Sequence, residues 1–253
     1  MTNAPSTPLV TFIGAGPGAA AHLTLGAYQA LQQADVVIHD RLVGAEVLAL
    51  IPENVTLIDV GKEGFGTSTD QSKIDALLVA QALPGRRVVR LKGGDCGIFG
   101  RMDEEMEALD AAGIAFTILP GLTAATVAAA EIGQSLTRRG RNTALRILTG
   151  YDVAGYADHD WAGIARSGEV SAIYMGKKSA RFIQGRLLMH GAAHDTPVSV
   201  VANVSRPDQQ IIGATLATLP QAVAEANGPA IILLGLAPRA AANSLPQLQE
   251  AQA

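Results

Sequence analysis

Cysteine is almost missing from this chain: Cys96 is the only one in 253 residues, so no disulfide can close within it. None is needed, because a chain of this length buries roughly 70–75% of its unfolded surface and folds on its apolar core. An excess of positive charge is missing too. Nineteen Lys and Arg stand against 23 Asp and Glu, a net charge of −4, which is not the basic footprint of a nucleic-acid binder. The longest apolar runs, such as Ala230–Leu236, fall far short of the roughly 20 residues that cross a bilayer, so no membrane partner is expected. Met1 to Pro8 has no Lys or Arg and no apolar stretch, so no signal peptide is expected, and a cytoplasmic location is. Metal-ligand spacing is also lacking. His190 and His194 stand four apart, but Gly191 interrupts them and no carboxylate motif accompanies them, so no metal is expected. No Gly-Lys is followed by Ser or Thr, which excludes a phosphate-binding P-loop.

What is present is globular: 48% of residues are apolar and 17% charged. Short β-branched runs alternate with helical stretches. Strands are expected at Leu9–Ile13, Asp35–His39, Val55–Val60, Arg87–Leu91 and Ala115–Leu119. Helices are expected at Thr24–Gln33, with Thr24 as N-cap, at Ile74–Leu83, and at Met102–Ala112 with Gly113 beyond it. Repeated strand–helix units with short connections indicate an α/β fold with a mainly parallel sheet. An Ala-rich helix at Gly121–Gly133 leads into the polar connector Gln134–Asn142. Strands then follow at Leu145–Thr149, Ser171–Met175, Val198–Val201 and Ala230–Gly235, with helices at Ser179–His190 and Leu219–Asn227. The expected division is a tail at 1–8, an N-terminal α/β domain at 9–135, a C-terminal α/β domain at 136–240 and a flexible tail at 241–253.

Ligands of open α/β sheets sit at the carboxyl ends of the strands. The loops there are rich in Gly and reactive groups: Gly14–Gly18, Asp40-Arg41, Gly61-Lys62, Gly93–Arg101 and Pro120–Ala124, with Met175-Gly176 and Ala202-Asn203 later. Gly14–Gly18 invites a dinucleotide reading, but Ala19 stands where the third Gly belongs and Pro17 removes an N–H. In Leu91–Glu105 the adjacent glycines allow backbone to approach a ligand, and Asp95 can accept from an amine or hydroxyl. Asp103, Glu104 and Glu105 fall in the first turn of a helix, where acids suit the dipole without any further role.

The segments GAGPG, VVIHDRLV, VGKEG, VVRLKGGDCGIFGR, PGLTAA, LTRRG, IYMGKK and SRPDQ occur in the order of the tetrapyrrole (precorrin) methylase family, which the chain resembles from about Leu9 to Pro238. The resemblance implies two α/β domains of the tetrapyrrole methylase type, with an active site in the cleft between them. It implies an S-adenosylmethionine-dependent C-methyltransferase acting on uroporphyrinogen III at C2 and C7, releasing S-adenosylhomocysteine, and working as a homodimer. Matching cofactor positions are Pro17, Gly93, Gly94, Asp95, Ile98, Thr123, Ala124, Met175 and Ala202. Asp40 and Lys62 match positions proposed for proton transfer, and Arg101 and Glu104 match positions that handle the tetrapyrrole. Arg41, Arg101, Arg138, Arg139 and Met175 are the expected substrate contacts, since the substrate carries carboxylates that Arg binds through two parallel hydrogen bonds. The chain departs from the family pattern at Cys96, where Pro is usual, and at Glu63–Thr69, which lacks a second basic residue and a His.

Overall fold

The alternating runs form two five-stranded sheets, each in its own compact unit, Met1–Ala124 and Ala125–Ala253, in a computed structural model that describes residues 9–61 and 70–239. The first unit runs β1 (Val10–Gly14), α1 (Leu25–Gln33), β2 (Val36–His39), α2 (Ala45–Leu48), β3 (Thr56–Asp59), α3 (Gln71–Ala82), β4 (Val88–Lys92), α4 (Met102–Ala111) and β5 (Phe116–Leu119). Its sheet has the order β3-β2-β4-β1-β5 and is parallel throughout. Alternation assigns the faces. Val10, Phe12, Val36, Ile38 and Val88 pack on Leu78 and Leu109 of α3 and α4, while Ile13, Val37, Val89 and Leu91 pack on Ala27, Leu31 and Val47 of α1 and α2. A fully buried Phe12 or Leu91 contributes roughly 1.5–3 kcal/mol by leaving water.

Thr24 caps α1 as expected, its Oγ1 accepting from Ala27 N at 3.2 Å. Helix α3 begins earlier than its apolar period suggests, because the Asp70 carboxylate accepts from Ser72 N and starts the helix at Gln71. Gly113 follows α4 at φ +67°.

The second unit runs α5 (Ala124–Glu131), β6 (Arg146–Thr149), β7 (Tyr151–Asp152), β8 (Gly155–Tyr156), α6 (Trp161–Ile164), β9 (Ser171–Tyr174), α7 (Ala180–Met189), β10 (Pro197–Ala202), β11 (Gln210–Thr215), α8 (Leu219–Glu225) and β12 (Ala230–Leu234). Its sheet order is β11-β10-β12-β9-β6. Only β6 and β9 pair in parallel; β10 is antiparallel to both neighbours and β12 to β9. The second sheet is therefore mixed.

The compact units divide at the start of α5, between Ala124 and Ala125, whereas the sequence suggested a boundary after the helix. The reason is packing. Ala125, Val127, Ala128, Ala129 and Ile132 are buried against Val170, Ala172, Val201, Ile231 and Leu233, one face of the second sheet, and Tyr174 Oη accepts from Ala125 N at the helix start. The opposite face packs Ile173, Val200 and Ile232 on Ile183 and Leu187 of α7 and Leu219 and Val223 of α8.

Candidate active site

Because every strand of the first sheet runs the same way, its five carboxyl ends share one edge, and there the sequence-nominated loops meet. Gly16 and Gly94 exchange backbone hydrogen bonds (3.1 and 2.7 Å), and Ala15 N donates to Lys92 O. A Cβ on Gly14 would lie 2.5 Å from Gly121 N and 2.8 Å from Gly94 O, so three backbones stack where no side chain fits. Gly14 is thus required for backbone packing, not for cradling a phosphate, and the dinucleotide reading loses its main support. Pro17 is buried beside this stack.

The two glycines after β4 differ. A Cβ on Gly93 would sit 2.6 Å from Leu42 Cβ, so Gly93 packs on the loop after β2 and does not leave room for a ligand. Gly94, at φ +72°, has nothing within 4 Å of the position a Cβ would take. This is the open glycine. Asp95 was expected to face a ligand amine or hydroxyl, but its Oδ1 accepts from Gly97 N at 2.8 Å and its Oδ2 from Gly121 N at 2.9 Å. The carboxylate binds the loop after β4 to the loop after β5, which continues to Thr123 and Ala124. Ile98 N donates to Asp95 O at 3.2 Å and closes the turn.

Arg101 stands at the N-cap of α4 in the left-handed conformation, φ 53°, with Phe99 likewise at 52°. Such backbone in a bulky residue costs on the order of 1–3 kcal/mol and collects at functional sites. The Arg101 guanidinium grips Glu104 through both forks, Nε to Oε1 at 2.7 Å and Nη2 to Oε2 at 2.6 Å. That pairing raises Arg101 further above its usual range and holds the Glu104 carboxyl below the ordinary carboxylate value. Arg101 is therefore no base in this state. Asp40 follows β2 and accepts from Leu42 N at 3.0 Å, while Arg41 makes a half-exposed ion pair with Asp59 at 3.6 Å. Lys62 lies outside the described residues.

Sequence reasoning missed the chemistry beneath these loops. Arg90 and Lys92 point from β4 to the α3/α4 face, both buried, and meet the wholly buried Glu105 of α4. Arg90 Nε and Nη2 donate to Glu105 Oε1 (3.1 and 3.0 Å), and Lys92 Nζ donates to the same oxygen at 2.7 Å. Burial first, and the neighbouring Arg90 second, push the Lys92 ammonium below the usual lysine range. The available signal was two cations, two apart, in an otherwise apolar strand. Cys96 is buried, its thiol pushed up chiefly by burial, and its Sγ reaches Leu119 O at 3.9 Å.

In the second unit β6, β9 and β10 run in one direction, which puts Met175 and Ala202 at one sheet edge. Met175 takes φ 52° and is half exposed, and Asn203, after Ala202, takes φ 49°. Gly150 allows this edge to close: a Cβ there would meet Gly176 Cα at 2.7 Å, and Ser179 Oγ donates to Gly150 O. Arg141 is tied into its turn by Ser135 O and Asn142, whereas the Arg138 and Arg139 side chains are exposed and make no hydrogen bond or ion pair with described residues. Among the described residues, no three His, Cys, Asp or Glu gather as metal ligands, and no helix is long and apolar enough to cross a membrane.

The family model for tetrapyrrole (corrin/porphyrin) methylases matches residues 9–220. The chain is 43% identical over 226 residues to siroheme synthase 3 of Aeromonas hydrophila, covering 89% of this chain and 48% of that protein. It thus spans about half the length of the curated relatives it matches. Among solved structures, the uroporphyrin-III C-methyl transferase from Thermus thermophilus complexed with S-adenyl homocysteine shares 34% identity and a TM-score of 0.77, over 89% of this chain and 96% of that one. A cobalt precorrin-4 methyltransferase, at 24% identity and a TM-score of 0.79 over 89% and 94%, shares the fold. With 9–220 matched and the strand-end loops assembled on their sheets, this chain belongs to the tetrapyrrole methylase family.

Proposed function

We propose that the chain is an S-adenosylmethionine-dependent C-methyltransferase that converts uroporphyrinogen III, by methylation at C2 and C7, to precorrin-2 through precorrin-1, feeding sirohaem or cobalamin synthesis. The observation that carries this reading is the likeness, over nearly the whole of both chains, to a uroporphyrin-III C-methyl transferase complexed with S-adenyl homocysteine. Relatives named siroheme synthase support it. The residues fit the cofactor. Gly94 leaves the space of a side chain open beside backbone groups at the strand ends, and Met175 exposes a polarisable thioether from a strained turn. Pro17, Gly93, Gly94, Asp95, Ile98, Thr123, Ala124, Met175 and Ala202 are the residues we assign to holding it, with Gly93 and Asp95 acting by fixing the loop.

When bound, S-adenosylmethionine supplies a methyl group on a sulfonium that is already a strong electrophile. The protein's task is then alignment and exclusion of water around an electron-rich pyrrole carbon. In this reading Arg101 is an anchor for an acetate or propionate, because it stays charged at any working pH. Arg41, Arg138, Arg139 and Met175 contribute further contacts, the exposed arginines through substrate carboxylates. A proton leaves the pyrrole as the new bond forms, and Asp40, Lys62 and Glu104 are the residues assigned to receive or relay it. This reading has the protein working in the cytoplasm as a homodimer, with no metal, nucleic acid or membrane taking part. Mass spectrometry of purified protein with uroporphyrinogen III and S-adenosylmethionine tests it: products heavier by one and then two methyl groups are expected. Gain only with a later precorrin would reassign the protein within its family, and no gain with any tetrapyrrole would defeat the reading.

A further inference from the structure

The group of buried charges at Arg90, Lys92 and Glu105 is the part of the first unit that the proposed chemistry leaves unused. Its position is informative. Glu105 directly follows Glu104, the partner of Arg101, in the first turn of α4. Lys92 directly precedes Gly93-Gly94-Asp95. Arg90 Nη1 donates to Ile38 O (3.4 Å), two residues before Asp40 on β2, and to Leu91 O (3.2 Å). Gln71, the first residue of α3, donates to Glu105 Oε1 at 3.4 Å and to Asp75 at 2.8 Å. Lys92 Cε lies 3.2 Å from where a Cβ on Gly100 would stand, so the loop leading to Arg101 rests on the lysine stem. The Glu105 carboxylate thus ties β4 to the starts of α3 and α4, and Arg90 carries the tie on to β2.

Stability does not account for this arrangement. Two cations and one carboxylate have left water, and the Lys92 ammonium has three donors but, among the described residues, one hydrogen-bond partner, Glu105. Replacing such buried ionic groups by apolar residues of similar volume is often neutral or stabilising. A parallel strand covered on both faces would ordinarily read as apolar throughout, as Val88, Val89 and Leu91 do.

We propose that the Arg90–Glu105–Lys92 cluster is a positioning device: it locks the first turn of α4 onto the ends of β2 and β4 and so sets the Arg101–Glu104 pair against the Gly94–Asp95 loop and Asp40. None of the three is a catalytic residue, since all are buried. Directional hydrogen bonds hold a helix turn at one register, where apolar packing tolerates sliding.

The inference rests on the methyltransferase reading, and its test separates the two. The charge-free triple variant Arg90→Met/Lys92→Met/Glu105→Leu is compared with wild type for melting temperature, calorimetric affinity for S-adenosylmethionine and steady-state kinetics. Expected are an unchanged or higher melting temperature, near-normal cofactor affinity and a kcat lower by about a hundredfold, the loss falling on kcat more than on KM. Hydrogen exchange at Met102–Glu105 should quicken while the sheet stays protected. A folded triple variant with wild-type kcat overturns the proposal. Should the triple variant not fold, Lys92→Met alone keeps the Arg90–Glu105 pair and should lose about tenfold in kcat while melting no lower than wild type; a wild-type rate there overturns it equally. If the wild-type chain itself methylates nothing, the functional reading falls and this inference with it.

Discussion

One methyl group added at two different glycines should have opposite consequences. In Gly14→Ala the new carbon falls 2.5 Å from Gly121 N, 2.6 Å from Gly121 Cα and 2.8 Å from Gly94 O. All three obstacles are backbone held by strand pairing and by the Asp95 staple, so none can swing aside. Overpacking of this kind costs about 3 kcal/mol, which for a chain of this size lowers the melting temperature by about 6–12 °C. In Gly94→Ala the carbon meets nothing within 4 Å, and the cost is the left-handed backbone at φ +72°. That is about 1–2 kcal/mol, or about 2–8 °C. Yet this gentler change puts a methyl in the space assigned to the cofactor, and S-adenosylmethionine affinity should fall at least about tenfold, the larger Gly94→Val losing it altogether. Differential scanning calorimetry and isothermal titration read both quantities on the same samples. Gly94→Ala or Gly94→Val with near-normal cofactor affinity would refute the placement of the cofactor. Gly14→Ala melting with wild type would refute the account of the glycine stack.

Arg101 and Glu104 are both about half exposed, so Arg101→Ala should change stability by less than about 1 kcal/mol. If Arg101 anchors a substrate carboxylate, kcat/KM in Arg101→Ala should fall by about 2–5 kcal/mol of transition-state binding, with Arg101→Lys retaining part of it and cofactor affinity unchanged in both; loss of cofactor affinity instead would make Arg101 structural. Lys92 titrates below its ordinary value of 10.5 in the folded protein, so the unfolded chain binds more protons in that alkaline window and Lys92 contributes stability that rises with pH. Relative to wild type, Lys92→Met should therefore show its greatest stability advantage near neutral pH and a shrinking one toward pH 10.5, with Arg90, Glu105 and Asp40 as the charges facing the site; denaturant melts at several pH values read this, and a difference that grows with pH contradicts it. Met175→Gly should relieve left-handed strain and raise stability by about 1 kcal/mol while weakening cofactor affinity. Sedimentation at micromolar concentration should give a dimer, and a lone monomer boundary would remove the homodimer from the reading.

The first unit was legible because its strands are short runs rich in β-branched residues, β1 ending in Gly14, and its helices carry caps such as Thr24. Strand β11 escaped notice because QIIGAT is a half-exposed edge strand with a central Gly213 and no clean alternation. The single-turn helices α2 and α6 and the two-residue strands β7 and β8 are too short for any period to appear. Helix α5 is mostly alanine and has no clear apolar stripe, so nothing in it said which sheet it would cover. At the site, loop positions were readable but the use of each residue was not. Gly93 and Gly94 look alike in sequence, and only the approach of Leu42 separates the packed one from the open one. Likewise Asp103, Glu104 and Glu105 all suit a helix start. The turn sends Glu105 into the core to meet Arg90 and Lys92 and leaves Glu104 outside with Arg101.

The central claim is transfer of a methyl group to two particular carbons of uroporphyrinogen III, and carbon-13 NMR tests it most directly. The purified chain is incubated with uroporphyrinogen III and S-adenosylmethionine labelled in its methyl carbon. The account predicts one new labelled methyl signal that is joined by a second, assigned to groups on C2 and C7. Label on any other carbon, or none in the tetrapyrrole at all, would contradict it.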